Sequence, residues 1–187
     1  MNRLMLIVLT AGILAVSGGA QQKDATQPKQ DADRAESCAL HSQHMTQQQA
    51  ADKRFLDMNQ RDAKVMGFDQ TKTTHHFRSF ENGGAIEVTV KNPADASGLE
   101  AIRNHLGKIA PEFTNGDFSV PAMTHAEMPA GASAMQTLRD RIKYQYEEIP
   151  NGARVRITTS DPEALHAIHE FLAYQVREHR TVGLATP

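Results

Sequence analysis

Ile86-Glu87-Val88-Thr89-Val90-Lys91-Asn92-Pro93 and Val155-Arg156-Ile157-Thr158-Thr159-Ser160-Asp161-Pro162 are two versions of one pattern, 69 residues apart (86 to 155). In each, apolar and polar residues alternate with the period of a strand that has one buried face. Ile86, Val88 and Val90 fall on one face, with Glu87 and Thr89 opposite. Val155, Ile157 and Thr159 repeat this, with Arg154 and Arg156 opposite. Each strand is preceded by a turn signal, Asn82-Gly83 and Asn151-Gly152, suited to two-residue hairpin loops that need positive φ. Before the turns stand two further strands, His75 to Phe80 and Tyr144 to Ile149.

Each hairpin is followed by a helix. Leu99, Ile102, Leu106, Ile109 and Phe113 make one apolar stripe at helical spacing; Leu165, Ile168, Leu172 and Val176 make the other. Ser97-Gly98-Leu99-Glu100 reads as a capping box. Asp161-Pro162 reads as a cap followed by a first-turn proline. Ala101-Ile102-Arg103-Asn104-His105-Leu106 answers Ala167-Ile168-His169-Glu170-Phe171-Leu172 at an offset of 66 (101 to 167). The expectation is an α+β fold: two hairpin–helix repeats, about 73–114 and 142–180, forming a four-stranded antiparallel sheet with helices on one face, about a pseudo-twofold. Asn115 to Gly131, rich in Pro, Gly and Met, is expected to be a long loop. A third helix is expected over Ser133 to Ile142, with Met135, Leu138 and Ile142 on one side.

The repeat domain, 67–187, is preceded by segments of different character. Residues 1–20 have the three-part pattern of a secretory signal peptide: Arg3, an uncharged run from Leu4 to Val16, and small residues Gly18 and Ala20 at the cleavage positions. The run is too short to cross a bilayer, so the mature chain is expected to begin near Gln21, exported to the periplasm or secreted, and soluble. Residues 21–52 include eight glutamines among 32 residues and few large apolar groups. They are expected to remain a disordered polar tail. Ala51, Phe55, Met58 and Val65 then recur at helical spacing, which predicts a short amphipathic helix over 53–66, ended by Gly67.

With 20 basic and 22 acidic residues the chain is near neutral, which argues against a nucleic-acid partner. The single cysteine, Cys38, can make no internal disulfide. It is left free, bridging two chains in a homodimer, or bound to a soft metal. The nine histidines are the unusual feature. Imidazole and thioether groups suit copper, and imidazole suits zinc. In the tail, Cys38, His41, His44 and Met45 fall within eight residues (38 to 45). In the domain, His75 is the inward member of the His75-His76 pair, and His76 points outward. His105 and His169 lie on opposite flanks of their stripes and are not expected to meet. His125 lies in Met123-Thr124-His125-Ala126-Glu127-Met128, a loop expected to be pinned by its methionines. His75, His105 and His125 are expected to converge, with His76 and His169 as second choices, and His166 solvated. The alternative for these histidines is hydrogen bonding within the core.

The run Met66-Gly67-Phe68-Asp69-Gln70-Thr71-Lys72-Thr73-Thr74-His75-His76-Phe77, with Val155 to Thr159 and Ala167 to Leu172, resembles a family of small exported bacterial proteins of uncharacterised function. The likeness spans about Met66 to His179 and leaves the tail outside. It implies a shared fold. It also implies a functional role for His75, His76, His105, His125 and His169, which match the family's motif residues. It supplies no activity. The Ser-Thr-Arg-Thr phosphate loop of carbamoyl transferases, an enzyme name carried by some such families, is missing. So are Gly-x-Ser-x-Gly and His-Glu-x-x-His.

Three functions are consistent with these features. The first is an exported transition-metal-binding protein, copper first and zinc second, acting as an envelope chaperone, buffer or sensor component. The second is a non-catalytic module that offers an envelope protein partner its polar sheet face, through Arg78, Glu87, Arg154 and Arg156. The third is a metal-dependent enzyme, for which no general base can be named.

Overall fold

The computed structural model describes residues 27–181. The predicted signal peptide lies outside the described residues. Among the described residues no helix is long and apolar enough to cross a membrane. Two compact units divide after Met45.

The first helix, α1, spans Gln27–Met66. Its residues to Met45 belong to the first unit and those from Thr46 to the second. Residues 27–52, expected to be disordered, are therefore helical. Composition had argued only that this stretch cannot bury a core, and it does not: residues 36–50 are exposed. Pro28 stands at the second position of the helix, and neither Gly nor Pro occurs from Lys29 to Met66. Ala, Gln, Lys, Arg and Met, which lose little freedom in a helix, need no tertiary burial to favour it. The predicted start at residue 53 was set by the buried face, not by the helix. The end is where the sequence puts it, with Gly67 at φ 78°.

The second unit continues through β1 (Thr73–Phe80), β2 (Gly83–Val90), α2 (Ala96–Thr114), α3 (Ser119–His125), α4 (Ala132–Thr137), β3 (Ile142–Ile149), β4 (Gly152–Thr159) and α5 (Pro162–Glu178). The strands make one antiparallel sheet in the order β1-β2-β4-β3. This is the expected α+β architecture. The helices lie against the face that carries His75, Phe77, Val88, Val155 and Ile157. Each of the two long helices crosses to the other half: α2 lies chiefly over β3 and β4, and α5 over β1 and β2. Ile102, Leu106, Ile109, Phe113, Ile168, Phe171 and Leu172 fill the space between them and the sheet.

Several local details differ from expectation. The hairpin loops are Glu81-Asn82 and Pro150-Asn151, because Phe80 pairs with Gly83 and Ile149 with Gly152. The glycines open the second strands instead. There a Cβ on Gly83 would strike the Ile157 carbonyl, and one on Gly152 would strike the Val88 carbonyl. These glycines let β2 and β4 approach at their ends. The cap of α2 is Asp95, whose carboxylate accepts from the Gly98 N–H, and not Ser97. Asp161 caps α5 as predicted, accepting from Glu163 and Ala164. The predicted loop contains α3. The predicted third helix stops at Thr137, with a tight 3-10 turn over Arg139–Arg141 leading into β3, so Ile142 is a strand residue.

Candidate functional site

A cavity of about 60 Å³ opens between the two long helices and the sheet. Its walls are mostly apolar, including Phe77, Val88, Leu106, Phe113 and Phe171, and four histidines reach it: His75, His105, His125 and His179. Four elements deliver them. His75 comes from the inward face of β1, His105 from α2 beside buried Leu106, His125 from the last residue of α3, and His179 from the C-terminal cap of α5. The space is enough for an ion or a few waters.

His179 is the hub. Its ring lies 5.6 Å from that of His75, nearly parallel, and 5.2 Å from that of His125, edge-on. The ring of Phe68 packs on both His105 and His75, 5.7 Å from the first and 5.9 Å from the second. The His125 Nε2–H donates to Gln175 Oε1 at 3.0 Å, which leaves Nδ1 as the free acceptor. Nε2 of His75 and Nδ1 of His179 are buried without a hydrogen-bond partner.

A carboxylate completes the group. Asp62, on α1, is fully buried, and neither of its oxygens makes a hydrogen bond. Its Oδ2 lies 3.9 Å from His179 Nδ1. The backbone there is fixed by Arg61, whose Nε–H donates to the Thr124 carbonyl at 2.8 Å. Burial pushes the Asp62 carboxyl up to about 7, against the Thr124 hydroxyl and Arg61, which draw it back. Burial, aided by His105, His76 and Lys91, takes His75 down to about 4. Burial and Lys108 do the same to His105. His125 is lowered by burial, with Gln175, Glu178 and Glu127 opposing. Burial, with His75 and His125, holds His179 well below the ordinary histidine value. The imidazoles are thus neutral at physiological pH, the form that ligates metal.

No family model, curated protein or solved structure matches this chain. The site is therefore argued from its own geometry.

The remaining predicted residues fall elsewhere. The Nε2–H of His169 points at the Phe80 carbonyl (2.9 Å) and the Gly83 carbonyl (3.1 Å), tying α5 to the end of the first hairpin. It is a structural histidine, away from the cavity. His76 faces Glu87 across the outer side of the sheet. His166 is exposed beside Glu170. Met123 and Met128 are exposed and do not pin their loop; Glu127 does, accepting from the Tyr174 hydroxyl at 2.6 Å. In the first unit Cys38, His41, His44 and Met45 are exposed on α1. The helix sets His44 about 120° round from Cys38, so the four do not close on one point. Among the described residues, no three His, Cys, Asp or Glu side chains converge on an ion as they stand.

Sequence reasoning missed Asp62 and His179. Both carried a signal. Asp62 sits in the buried stripe of α1, between Met58 and Val65, where an acid is out of place. His179 continues the stripe of α5, three residues beyond Val176.

Proposed function

We propose that this is an exported protein that binds a transition metal in the cavity formed by His75, His125 and His179, serving as an envelope chaperone, buffer or sensor component. The observation that carries the reading is the ring spacing. A metal about 2 Å from each nitrogen places imidazole ring centres roughly 5–5.5 Å apart. The His75–His179 and His179–His125 rings lie at 5.6 and 5.2 Å. Binding therefore needs the rings to turn about their side-chain bonds, with little movement of the backbone. Turning is open to His75 and His179, whose orphaned nitrogens have no protein partner to lose. His105, which lines the same cavity and packs on Phe68, is a reserve ligand or a wall of the site.

The polar sheet face gives less support to a docking module. Three of its four named charges are partnered, Arg78 with Glu87 (3.2 Å), Glu87 with Arg154 (3.1 Å), and Arg154 also with Glu147 (2.6 Å), and Arg156 lies over the Phe80 ring at 5.8 Å.

The test is metal content. Untagged mature protein is dialysed against copper or zinc and assayed by elemental analysis, alongside His75→Ala, His125→Ala and His179→Ala. About one bound ion per chain is expected for the parent, and loss in each variant. A parent that takes up neither metal, or variants that keep it, would refute the proposal.

A further inference from the structure

Three residues that reach or border this cavity lie outside the histidine set and constrain what it can hold. Met66, the last residue of α1, lines the cavity with His75, His105, His125 and His179. Asp62 stands one turn earlier on the same helix, buried, facing the Thr124 hydroxyl, and 3.9 Å from His179. Thr124, with a buried orphaned hydroxyl, lines it too. The other walls are hydrocarbon apart from Gln175, whose Oε1 accepts from His125.

We infer that the site takes a soft monovalent cation, copper(I), with the Met66 thioether as a ligand and Asp62 as the countercharge. The inference rests on the reading of the cavity as a metal site and names its cargo. Two independent arguments lead to it. The first is donor softness. A thioether beside imidazoles suits copper(I), whereas zinc sites are built from thiolate, imidazole and carboxylate. The second is charge. Asp62 is the fully buried carboxylate beside these neutral imidazoles, with Glu127 and Glu178 further out around His125 and Arg61 opposing them, and a buried net charge against mostly apolar walls is expensive. A monovalent ion beside the Asp62 carboxyl adds the least charge to the buried site. A divalent ion would bring a further positive charge against Phe77, Val88, Leu106 and Phe171.

Asp62 does not need to touch the metal. Its Oδ2 stands 3.9 Å from Nδ1 of His179, and a short approach on binding lets it accept that ring's proton and leave Nε2 for the cavity, as carboxylates do behind metal-bound histidines. This makes Asp62 a positioning residue and Met66 a ligand. Both residues lie in the part of α1 that belongs to the second unit, so cargo binding and the docking of that part reinforce each other.

The experiment is competitive titration of full-length mature protein with copper(I), against a copper(I) chelator under anaerobic conditions. A parallel titration uses zinc(II) against a zinc chelator. Parent, Met66→Leu, Asp62→Asn, Cys38→Ser and His166→Gln are compared, with X-ray absorption at the copper edge for each. Expected are tighter copper(I) than zinc(II) binding in the parent and at least a tenfold loss of copper(I) affinity in Met66→Leu with zinc unchanged. Copper(I) affinity should fall in Asp62→Asn and be unaltered in His166→Gln. A sulfur neighbour of copper should persist in Cys38→Ser and disappear in Met66→Leu. Zinc bound as tightly as copper(I), or a Met66→Leu protein that keeps both affinity and sulfur neighbour, overturns the inference. If zinc uptake depends on His75 and His125 while copper(I) is not preferred, the metal reading stands and this inference fails. If no metal is taken up, both fail.

Discussion

Replacing Asp62 by Asn should stabilise the metal-free protein, by an amount that grows with pH. The sign follows from the direction of its shift. Folded Asp62 keeps its proton up to about 7, whereas the unfolded chain gives it up near 3.8. Between those values the folded state binds more protons, so the contribution of Asp62 to stability falls as pH rises, and its full cost is present above about 7. A displacement of about three pH units corresponds to roughly 4 kcal/mol at pH 8. At pH 5 the cost is smaller by roughly 2.5 kcal/mol, because the folded group is still protonated. Asn matches the shape and removes the ionisation, though its amide adds a donor whose burial costs about 1 kcal/mol or more. The expected net gain is therefore about 3 kcal/mol at pH 8 and near zero at pH 5. Urea unfolding in the presence of a chelator, with midpoint and slope compared at both pH values, measures it. The other charged and titratable groups facing Asp62 are Arg61 and His179. Were Asp62 ionised against a protonated His179, the substitution would destabilise, most strongly at low pH. That outcome, or a gain independent of pH, would refute the argument.

The buried histidines have the opposite pH dependence: with His75 and His105 lowered to about 4, the unfolded chain binds more protons between 4 and 6.5. Stability should fall as pH drops through that window, by up to roughly 3 kcal/mol for each, and His75→Gln should flatten the loss in urea midpoints. His169→Ala should cost about 1–2 kcal/mol by releasing the Phe80 and Gly83 carbonyls while leaving metal uptake at the parent level; loss of uptake in a folded variant would return His169 to the site. Gly152→Ala should destabilise by on the order of 3 kcal/mol, because its Cβ meets the Val88 carbonyl, and a tolerated substitution would contradict the β2–β4 approach. Leu106→Ala and Leu172→Ala, at positions about 2% and 1% exposed, should each cost about 2–5 kcal/mol in thermal or urea unfolding.

Local chemistry, as written in the chain, was enough for the strands, for the hairpin-then-helix order of both halves, for the Asp161 cap and for the stop at Gly67. Alternation and capping act over a few residues, and nothing distant overrides them here. The inward setting of His75 followed from the same alternation. Where a signal competed with a neighbour of equal quality, the reading slipped by a residue or two. Asp95 took the cap from Ser97, and the hairpin loops moved one residue toward the N-terminus. The polar leader was misjudged because low hydrophobicity excludes a core but does not exclude a solvated helix.

The sequence by itself determined that an antiparallel sheet would bury one face under two helices, and that His75 would lie on that face. It could not determine which hairpin each helix would cover. That depends on how the four strands pack, and in the sheet β1-β2-β4-β3, α2 lies over the second hairpin and α5 over the first. His105 lines the cavity with His75 and His125 as expected, but from a helix that lies chiefly over β3 and β4. The crossing brings the C-terminal end of α5, with His179, onto β1 beside His75. The second half of α1 adds Asp62, which is 117 residues from His179 (62 to 179) and 3.9 Å from it in space. Contacts of that range carry no periodicity along the chain, so only the packed structure decides them.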